Sequence, residues 1–225
     1  MAVFPMFIEL GNEICLVIGG GKVALRKVET LLAMGAEVHV ISQEFEPELK
    51  AKEKENKLEC HEVAEGPLAA AVWLETNMKK EGIGSVAMLI CATNDMELNH
   101  QLSLWGKKHR IPVNSATSAE DCDFFFPSVV QRGNLTVGVS TGGRTPAVAR
   151  LVSQQIQETL PDWYDVLEAN GESARQQVHQ ATQNSLERKV ILNKVLNAAL
   201  EDEGRLTEDD VNRLILENKV DKKKE

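Results

Sequence analysis

The chain has 225 residues, of which 43% are hydrophobic and 26% charged, a composition typical of a globular protein with one or two domains. Its formal net charge of −9 argues against non-specific nucleic-acid binding, which requires a basic surface. No apolar run approaches the ~20 residues of a membrane span, and the N-terminus lacks a signal-peptide pattern, so we expect a cytoplasmic protein.

The most informative segment is a glycine-rich turn near the N-terminus. An apolar run at 14–18 predicts a strand, and three glycines follow it before an amphipathic segment begins. Gly19-x-Gly21-x-x-Ala24 fits the dinucleotide-binding fingerprint. Gly19 permits the tight turn, Gly21 lets the backbone approach a pyrophosphate, and the N-terminal amides of the helix bind the anion. The alternative is a tight turn that binds nothing.

Strands and helices alternate through the first half of the sequence. Strands are predicted at about 14–18, 37–42, 58–63, 86–92 and 111–114, and helices at about 22–34, 46–55, 67–80 and 95–109. The run at 86–92 is almost continuously apolar, as expected for a parallel strand covered on both faces. This alternation predicts a doubly wound parallel α/β sheet.

The pattern changes near residue 115. Strand-like runs at 124–131 and 135–141 flank Arg132-Gly133-Asn134, which indicates a β-hairpin. Helical periodicity follows at about 146–160, 162–180, 185–202 and 207–218. We therefore predict an α/β domain at 1–114, a small β segment at 115–145 and a helical domain at 146–225. Because a lone hairpin cannot bury both of its faces, we expect the β segment to form a homodimer.

The cysteines and histidines predict no metal site. The four cysteines lack Cys-x-x-Cys spacing, which argues against a disulfide framework or a structural zinc site. His39 and His61 lie on predicted strands, and we identify no partner for either that suggests a metal.

Six different short motifs lie along residues 1–160. They are Phe4-Pro5-Met6-Phe7, the glycine turn with Val23-Ala24 and Arg26-Lys27, Ala92-Thr93-Asn94-Asp95 with Asn99, Val113-Asn114, Phe126-Pro127-Ser128, and Val139-Ser140-Thr141-Gly142-Gly143 with Pro146 and Ala149-Arg150. In this order and spacing the chain resembles the precorrin-2 dehydrogenase/sirohydrochlorin ferrochelatase module of siroheme synthases. The resemblance implies an oxidoreductase of tetrapyrrole (porphyrin) biosynthesis that oxidises precorrin-2 to sirohydrochlorin with NAD⁺. It also implies a Rossmann domain, a dimerisation β region and a helical domain.

The cofactor residues are expected at three turns. Gln43 and Glu44 follow the second strand, and the resemblance implies that they contact the ribose or adenine side, although Glu44 could equally be a solvated loop acid. Thr93 and Asn94 follow the fourth strand and are expected on the nicotinamide side, unless Asn94 or Asp95 simply caps the next helix. Since no arginine flanks the turn after the second strand to bind a 2′-phosphate, we expect NAD rather than NADP. The phosphate turn comprises Gly19, Gly20, Gly21, Lys22 and Val23.

The resemblance implies a polycarboxylate macrocycle as substrate. A chain of net charge −9 needs local positive charge to bind it, and the guanidinium groups of Arg144 and Arg150 suit carboxylates. The other expected substrate contacts are Asn114, Ser115, Ser128, Thr141 and Gly142.

One position departs from the family pattern. Family members with both activities carry an aspartate after the Val-Asn pair as general base, and that place falls on Thr117. A threonine hydroxyl does not accept a proton at neutral pH as a carboxylate does. Asp121 and Asp123 lie nearby, but their use would require a shifted loop. Metal insertion must remove pyrrole protons, whereas hydride transfer relies largely on positioning, so we expect a dehydrogenase with weak or absent ferrochelatase activity.

Two other functions remain open. One is a bifunctional siroheme synthase that also inserts ferrous iron, and the other is a non-enzymatic NAD-sensing module, because fold alone does not determine function. The chain is too short for the methyltransferase domain fused to some family members. We therefore expect a separate methyltransferase to supply precorrin-2, and a separate chelatase is an open partner.

Overall fold

The computed structural model describes residues 3–64, 69–80 and 86–221. The chain forms two compact units, Met1–Phe126 and Pro127–Glu225. Among the described residues, no helix combines the length and the apolar character needed to cross a membrane.

The first unit contains a parallel five-stranded sheet. Its strands are β1 (Ile14–Ile18), β2 (Glu37–Ser42), β3 (Glu59–Glu62), β4 (Val86–Cys91) and β5 (Val113–Ser115). The helices that alternate with them are α1 (Lys22–Ala33), α2 (Pro47–Lys54), α3 (Ala69–Lys80) and α4 (Met96–Lys108). The strand order is β3-β2-β1-β4-β5, so the chain reverses its direction across the sheet between β1 and β4. Open α/β sheets bind ligands at the carboxyl ends of the strands beside such a reversal.

Two apolar layers hold this sheet between its helices. Successive side chains of a strand point to opposite faces, so neighbouring residues of β1 enter different layers. Val17 packs in one layer with Val28 of α1, while Leu16 packs in the other with Leu102 of α4. All four side chains are at most 1% exposed. The predicted parallel α/β sheet is confirmed, as is the helical region that follows it. The start of the helix predicted at 67–80 lies outside the described residues.

The segment after β5 packs against the sheet and helices of the first unit and belongs to that unit. The Val113 amide donates a hydrogen bond to Asp123 Oδ2 at 3.1 Å, and Asn114 Nδ2 donates to the Phe124 carbonyl at 2.9 Å. Phe124 and Phe126 also pack against the apolar layer that contains Val17. The first compact unit therefore continues beyond the predicted boundary at residue 114. The predicted strand at 124–131 begins only at Ser128, because its first residues belong to this packing and Pro127 has no amide hydrogen for a ladder.

The second unit combines a hairpin with helices. Strands β6 (Ser128–Arg132) and β7 (Leu135–Val139) pair antiparallel around the turn at 133–134. The helices are α5 (Pro146–Thr159), α6 (Tyr164–Ala181), α7 (Ser185–Glu201) and α8 (Glu208–Asp221). Helix α5 lies against the hairpin, where the Ser153 hydroxyl oxygen is 3.5 Å from the Ser128 carbonyl oxygen, and this hydroxyl donates to the Ala149 carbonyl at 2.9 Å. The other three helices share one core, formed by Ala174, Val178, Ile191, Val195, Val211 and Ile215.

All four cysteines are free thiols. Cys15 and Cys91 are fully buried in β1 and β4, and burial raises the pKa of each thiol to about 12. They therefore act as small apolar core residues, as their positions in the strands suggest.

The expectation that His39 and His61 lack partners suited to a metal is wrong. Strands β2 and β3 are adjacent and parallel, and their register pairs His39 with Glu59 and Ile41 with His61. His39 Nδ1 lies 3.0 Å from His61 Nε2, and the two rings are stacked. Both strands are visible in the sequence, but the pairing between them is not, which is why the contact escaped prediction.

Candidate functional site

A cavity of about 890 Å³ lies within the first unit, at the carboxyl ends of β1, β2 and β4. It occupies the place where the strand order reverses. Every predicted cofactor residue lines it, although the three turns are far apart in sequence. These residues are Gly19, Gly20, Gly21, Lys22, Val23, Gln43, Glu44, Thr93 and Asn94.

The glycines of the first turn meet different constraints. Gly19 has a φ of +117°, and a Cβ there would collide with the Ala92 carbonyl that follows β4. A side chain at this point would force β1 and β4 apart. Gly21 has a φ of −86° and empty space where a Cβ would stand. The fold itself therefore does not require glycine at position 21, but the open space beside the backbone suits the close approach of a phosphate.

Helix α1 begins at the cavity. The amides of its first turn have no carbonyl one turn earlier to bond, and the helix dipole places partial positive charge there. No acidic residue lies in this first turn. The carbonyl of Gly20 accepts a hydrogen bond from the Glu46 amide at 2.8 Å, which fixes the loop after β2 beside the turn. The backbone at this position fits a diphosphate.

The charge of the cavity wall is mainly negative. Glu44, Glu46 and Asp95 line it, and Lys22 is the one basic residue among the described lining residues. Gln43 and Glu44 are exposed on the loop that follows β2. The ribose position predicted there thus carries carboxylates and no arginine.

A buried asparagine links the ends of β4 and β5. Asn99 on α4 is fully buried, and its Oδ1 accepts hydrogen bonds from the Thr93 amide at 3.1 Å and the Thr93 hydroxyl at 2.7 Å. Its Nδ2 donates to the Thr93 carbonyl at 3.0 Å and to Thr117 Oγ1 at 3.2 Å. Asp95 caps α4, its Oδ1 accepting from the Leu98 amide at 3.0 Å. Thr93 and Thr117, two predicted site residues, are therefore joined through one side chain.

Thr117 is exposed, and its hydroxyl lies 3.2 Å from that of Ser115. The two nearby aspartates are held elsewhere. Asp121 Oδ1 lies 2.8 Å from His100 Nδ1, and Asp123 Oδ2 accepts from the Val113 amide. Neither carboxylate can move to the position of Thr117 without losing these bonds.

Asn114 and Lys27 form a second contact, which is partly buried. Lys27 Nζ donates to Asn114 Oδ1 at 2.7 Å and lies 4.2 Å from the centre of the Phe126 ring. Burial, assisted by the charge of Arg26, lowers the pKa of Lys27 to about 8. Both polar atoms of the Asn114 side chain are engaged, because its Nδ2 donates to the Phe124 carbonyl. Asn114 thus joins β5 to α1 and to the segment that follows, and its predicted substrate contact remains a prediction.

The other predicted substrate residues divide between the two units. Ser115 belongs to β5, and its amide donates to Cys122 Sγ at 3.1 Å. In the second unit, Thr141 Oγ1 accepts from the Thr145 amide at 3.0 Å and shapes the turn that leads to α5. Arg144 in this turn and Arg150 on α5 are both exposed. Ser128 begins β6, and Gly142 adopts a left-handed conformation with φ of +62°.

Sequence reasoning assigned no role to Asn99 or Lys27. Each belongs to one of the six motifs, and each is a polar residue on a helix that packs against the sheet, where Asn99 is buried and Lys27 is half-buried. A polar residue in a motif on a packed helix indicates a role for its side chain. The sequence does not show which residues it contacts, because the partners lie on other elements.

The chain is similar in sequence to known proteins. The family model NAD_binding_7, described as "Putative NAD(P)-binding", matches residues 6–128. The chain is 30% identical over 197 residues to the siroheme synthase of Mannheimia succiniciproducens, covering 88% of this chain and 39% of that protein. It is 34% identical over 161 residues to the siroheme synthase of Neisseria meningitidis serogroup C, covering 72% of this chain and 31% of that protein. The chain thus spans less than half the length of these relatives.

The fold also matches a solved structure along nearly its whole length. "SirC, precorrin-2 dehydrogenase" aligns with a TM-score of 0.64 and 20% identity, covering 96% of this chain and 99% of that chain. At this level of identity the match establishes the fold.

We predict that Gly21→Ala weakens binding of NADH without unfolding the protein. The added methyl meets no protein atom, but it occupies the space that a diphosphate would approach. We expect the Kd for NADH, measured by calorimetry, to rise at least about tenfold, or ~1.4 kcal/mol. Gly171→Ala is the matched control, because it also adds a methyl in open space, within α6. Unchanged affinity in Gly21→Ala would contradict the assignment of the phosphate turn.

We also predict that Lys27 reacts as an amine near pH 8. Competitive acetylation across about pH 6–11, read by mass spectrometry, should show half-maximal labelling of Lys27 near its lowered pKa of about 8. The folded state binds fewer protons than the unfolded state between that value and 10.5, so the destabilisation caused by burying the ammonium is fully present below a pH of about 8 and is lost as pH rises through the interval. Exposed Lys107 is the internal reference. Labelling of both residues with one pH profile would contradict the burial of Lys27.

Proposed function

The chain belongs to the NAD(P)-binding family whose model matches residues 6–128, and we propose that it is a precorrin-2 dehydrogenase that produces sirohydrochlorin. The observation that carries the proposal is the single cavity on which all predicted cofactor residues converge. The names of the similar proteins support the choice of a tetrapyrrole substrate. A cytoplasmic location and the separate methyltransferase remain predictions.

We propose NAD as the cofactor. When bound, the nicotinamide supplies the hydride acceptor. The turn at 19–23 and the first turn of α1 hold the diphosphate, while Gln43 and Glu44 contact the adenine-side ribose. The carboxylates of Glu44 and Glu46 disfavour the additional phosphate of NADP, since Lys22 alone among the described lining residues offers positive charge. Thr93 and Asn94 border the nicotinamide side.

The polar network around Asn99 acts by positioning. Asn99 holds the Thr93 and Thr117 hydroxyls through its fully satisfied amide. Thr117 can orient a substrate group by hydrogen bonding, but its hydroxyl does not accept a proton at neutral pH as a carboxylate does. This arrangement suits hydride transfer, which depends on geometry, better than the removal of pyrrole protons.

The substrate carboxylates need cationic partners. Arg144 and Arg150 offer exposed guanidinium groups that form paired hydrogen bonds with carboxylates. Ser128, Thr141 and Gly142, together with Asn114 and Ser115, complete the set of proposed substrate contacts.

The experiment is to incubate the purified chain with precorrin-2 and either NAD⁺ or NADP⁺. We expect NADH absorbance to rise together with the spectrum of sirohydrochlorin, and a lower kcat/KM with NADP⁺. Cofactor binding without turnover would replace this proposal with the NAD-sensing module. A preference for NADP⁺ would contradict the assigned role of Glu44.

Adding Fe²⁺ or Co²⁺ to the same mixture tests metal insertion. We expect slow insertion by the wild-type chain, because Thr117 cannot serve as a base. Thr117→Asp should accelerate insertion, whereas Thr117→Ser, which retains a hydroxyl, should not. Rapid insertion by the wild-type chain would favour the bifunctional siroheme synthase.

We propose that the hairpin β6–β7 pairs with a second copy of the chain. In the described part of the second unit, it is a two-stranded sheet with no third strand, and such sheets are marginal in isolation. Val129 is 37% exposed on β6. Light scattering at micromolar concentration should show a dimer, and Val129→Lys should shift it toward monomer by placing a charge on the strand. Val148→Lys, at an exposed position on α5, is the control, and a wild-type monomer would refute the proposal.

A further inference from the structure

Three side chains at the edge of the parallel sheet place their ligand atoms close together. His39 on β2 and Glu59 and His61 on β3 form one metal-capable group among the described residues. His39 Nδ1 lies 3.0 Å from His61 Nε2 and 3.5 Å from Glu59 Oε2. His61 Nε2 lies 3.6 Å from the same carboxylate oxygen. The three atoms therefore form a triangle with one side of 3.0 Å and two sides of 3.5 and 3.6 Å.

The triangle has the dimensions of one face of a tetrahedral zinc site. Zn²⁺ binds nitrogen and oxygen ligands at about 2.0–2.2 Å, which places tetrahedral ligand atoms roughly 3.3–3.6 Å apart. The three separations described above span this range to within a few tenths of an ångström. Two histidines and one glutamate also form a ligand set that zinc proteins use with a fourth position open.

The surroundings orient the buried ligand. His39 is only 9% exposed at its side chain, and its Nε2 lies 3.1 Å from Glu37 Oε1. A hydrogen on Nε2 donated to Glu37 leaves the lone pair of Nδ1 directed toward His61, whose Nε2 then donates the hydrogen bond between the two rings. Binding of an ion between these nitrogens would require the His61 hydrogen to move from Nε2 to Nδ1. Metal-binding histidines commonly have such a carboxylate partner on the second nitrogen. The side chain of Glu59 is 63% exposed, so water can reach the remaining coordination position.

We propose that His39 Nδ1, His61 Nε2 and Glu59 Oε2 bind one Zn²⁺ ion, with Glu37 as the positioning residue for His39. The ion would join the edge strand β3 to β2. Ile41, which pairs with His61, and Val63, which follows β3, both line the cavity. The ion would therefore stabilise one wall of the cavity without entering it.

The test uses the full chain without a polyhistidine tag, stripped of metal by a chelator. Titration with ZnCl₂ in a calorimeter should show one high-affinity ion per chain, and Zn²⁺ should raise the melting temperature. Co²⁺ should give the visible absorption of a tetrahedral complex in the same protein. Neither readout depends on enzyme activity, so failure here is distinguishable from failure of the proposed function.

The variants separate this site from adventitious binding. His61→Gln and Glu59→Gln should lower Zn²⁺ affinity at least about 100-fold, and Glu37→Gln about 10- to 100-fold. His179→Gln and Glu48→Gln, at exposed positions on α6 and α2, are the matched controls and should retain binding. Binding that survives both His61→Gln and Glu59→Gln, or absence of a stoichiometric site in the wild-type chain, would overturn the proposal. Circular dichroism of each variant verifies that it is folded.

Discussion

The first unit depends on the close approach of two backbones at Gly19. The carbonyl of Ala92 occupies the place where a side chain at position 19 would project, so β1 and β4 can lie side by side at their ends only with glycine there. This contact brings together three turns that are distant in sequence. The anion-binding end of α1, the acidic loop after β2 and the threonine after β4 consequently face one cavity. A steric constraint of backbone packing thus creates the binding surface.

Hydrogen bonds fix the positions of the polar residues at the ends of β4 and β5. Asn99 is fully buried and has each polar atom of its amide engaged, so the ends of β4 and β5 are tied to α4. A buried amide left without partners would cost about 1–3 kcal/mol, and its complete pairing therefore favours one arrangement of Thr93 and Thr117. Lys27 has a similar role between α1 and β5, although burial makes its ammonium less favourable and lowers its pKa to about 8. Both contacts position other residues.

The sequence predicts local features well and long-range pairing poorly. Strands such as β1 and β4 are visible because they are continuously apolar, and the cavity follows from the rule that ligands bind at the carboxyl ends of parallel strands. The extension of the first unit to Phe126 was not visible, because it depends on Asp123 and Phe124 bonding back to β5. The same reason hid the contact between His39 and His61, since one register out of several brings them together.

Strand β2 contributes residues to both the cofactor cavity and the proposed zinc site. Its carboxyl end leads into the acidic loop at the cavity, while His39 lies earlier in the strand, beside the edge strand β3. As an edge strand, β3 pairs with another strand on one side only, although its Cys60 amide also donates to Glu53 Oε1 at 3.0 Å. Side-chain ligands that reach across from β3 to β2 add a second connection, independent of the ladder. Ile41 of β2 pairs with His61 of β3, belongs to the buried layer and lines the cavity. The stability of the sheet edge and the shape of the cavity are therefore coupled through one strand.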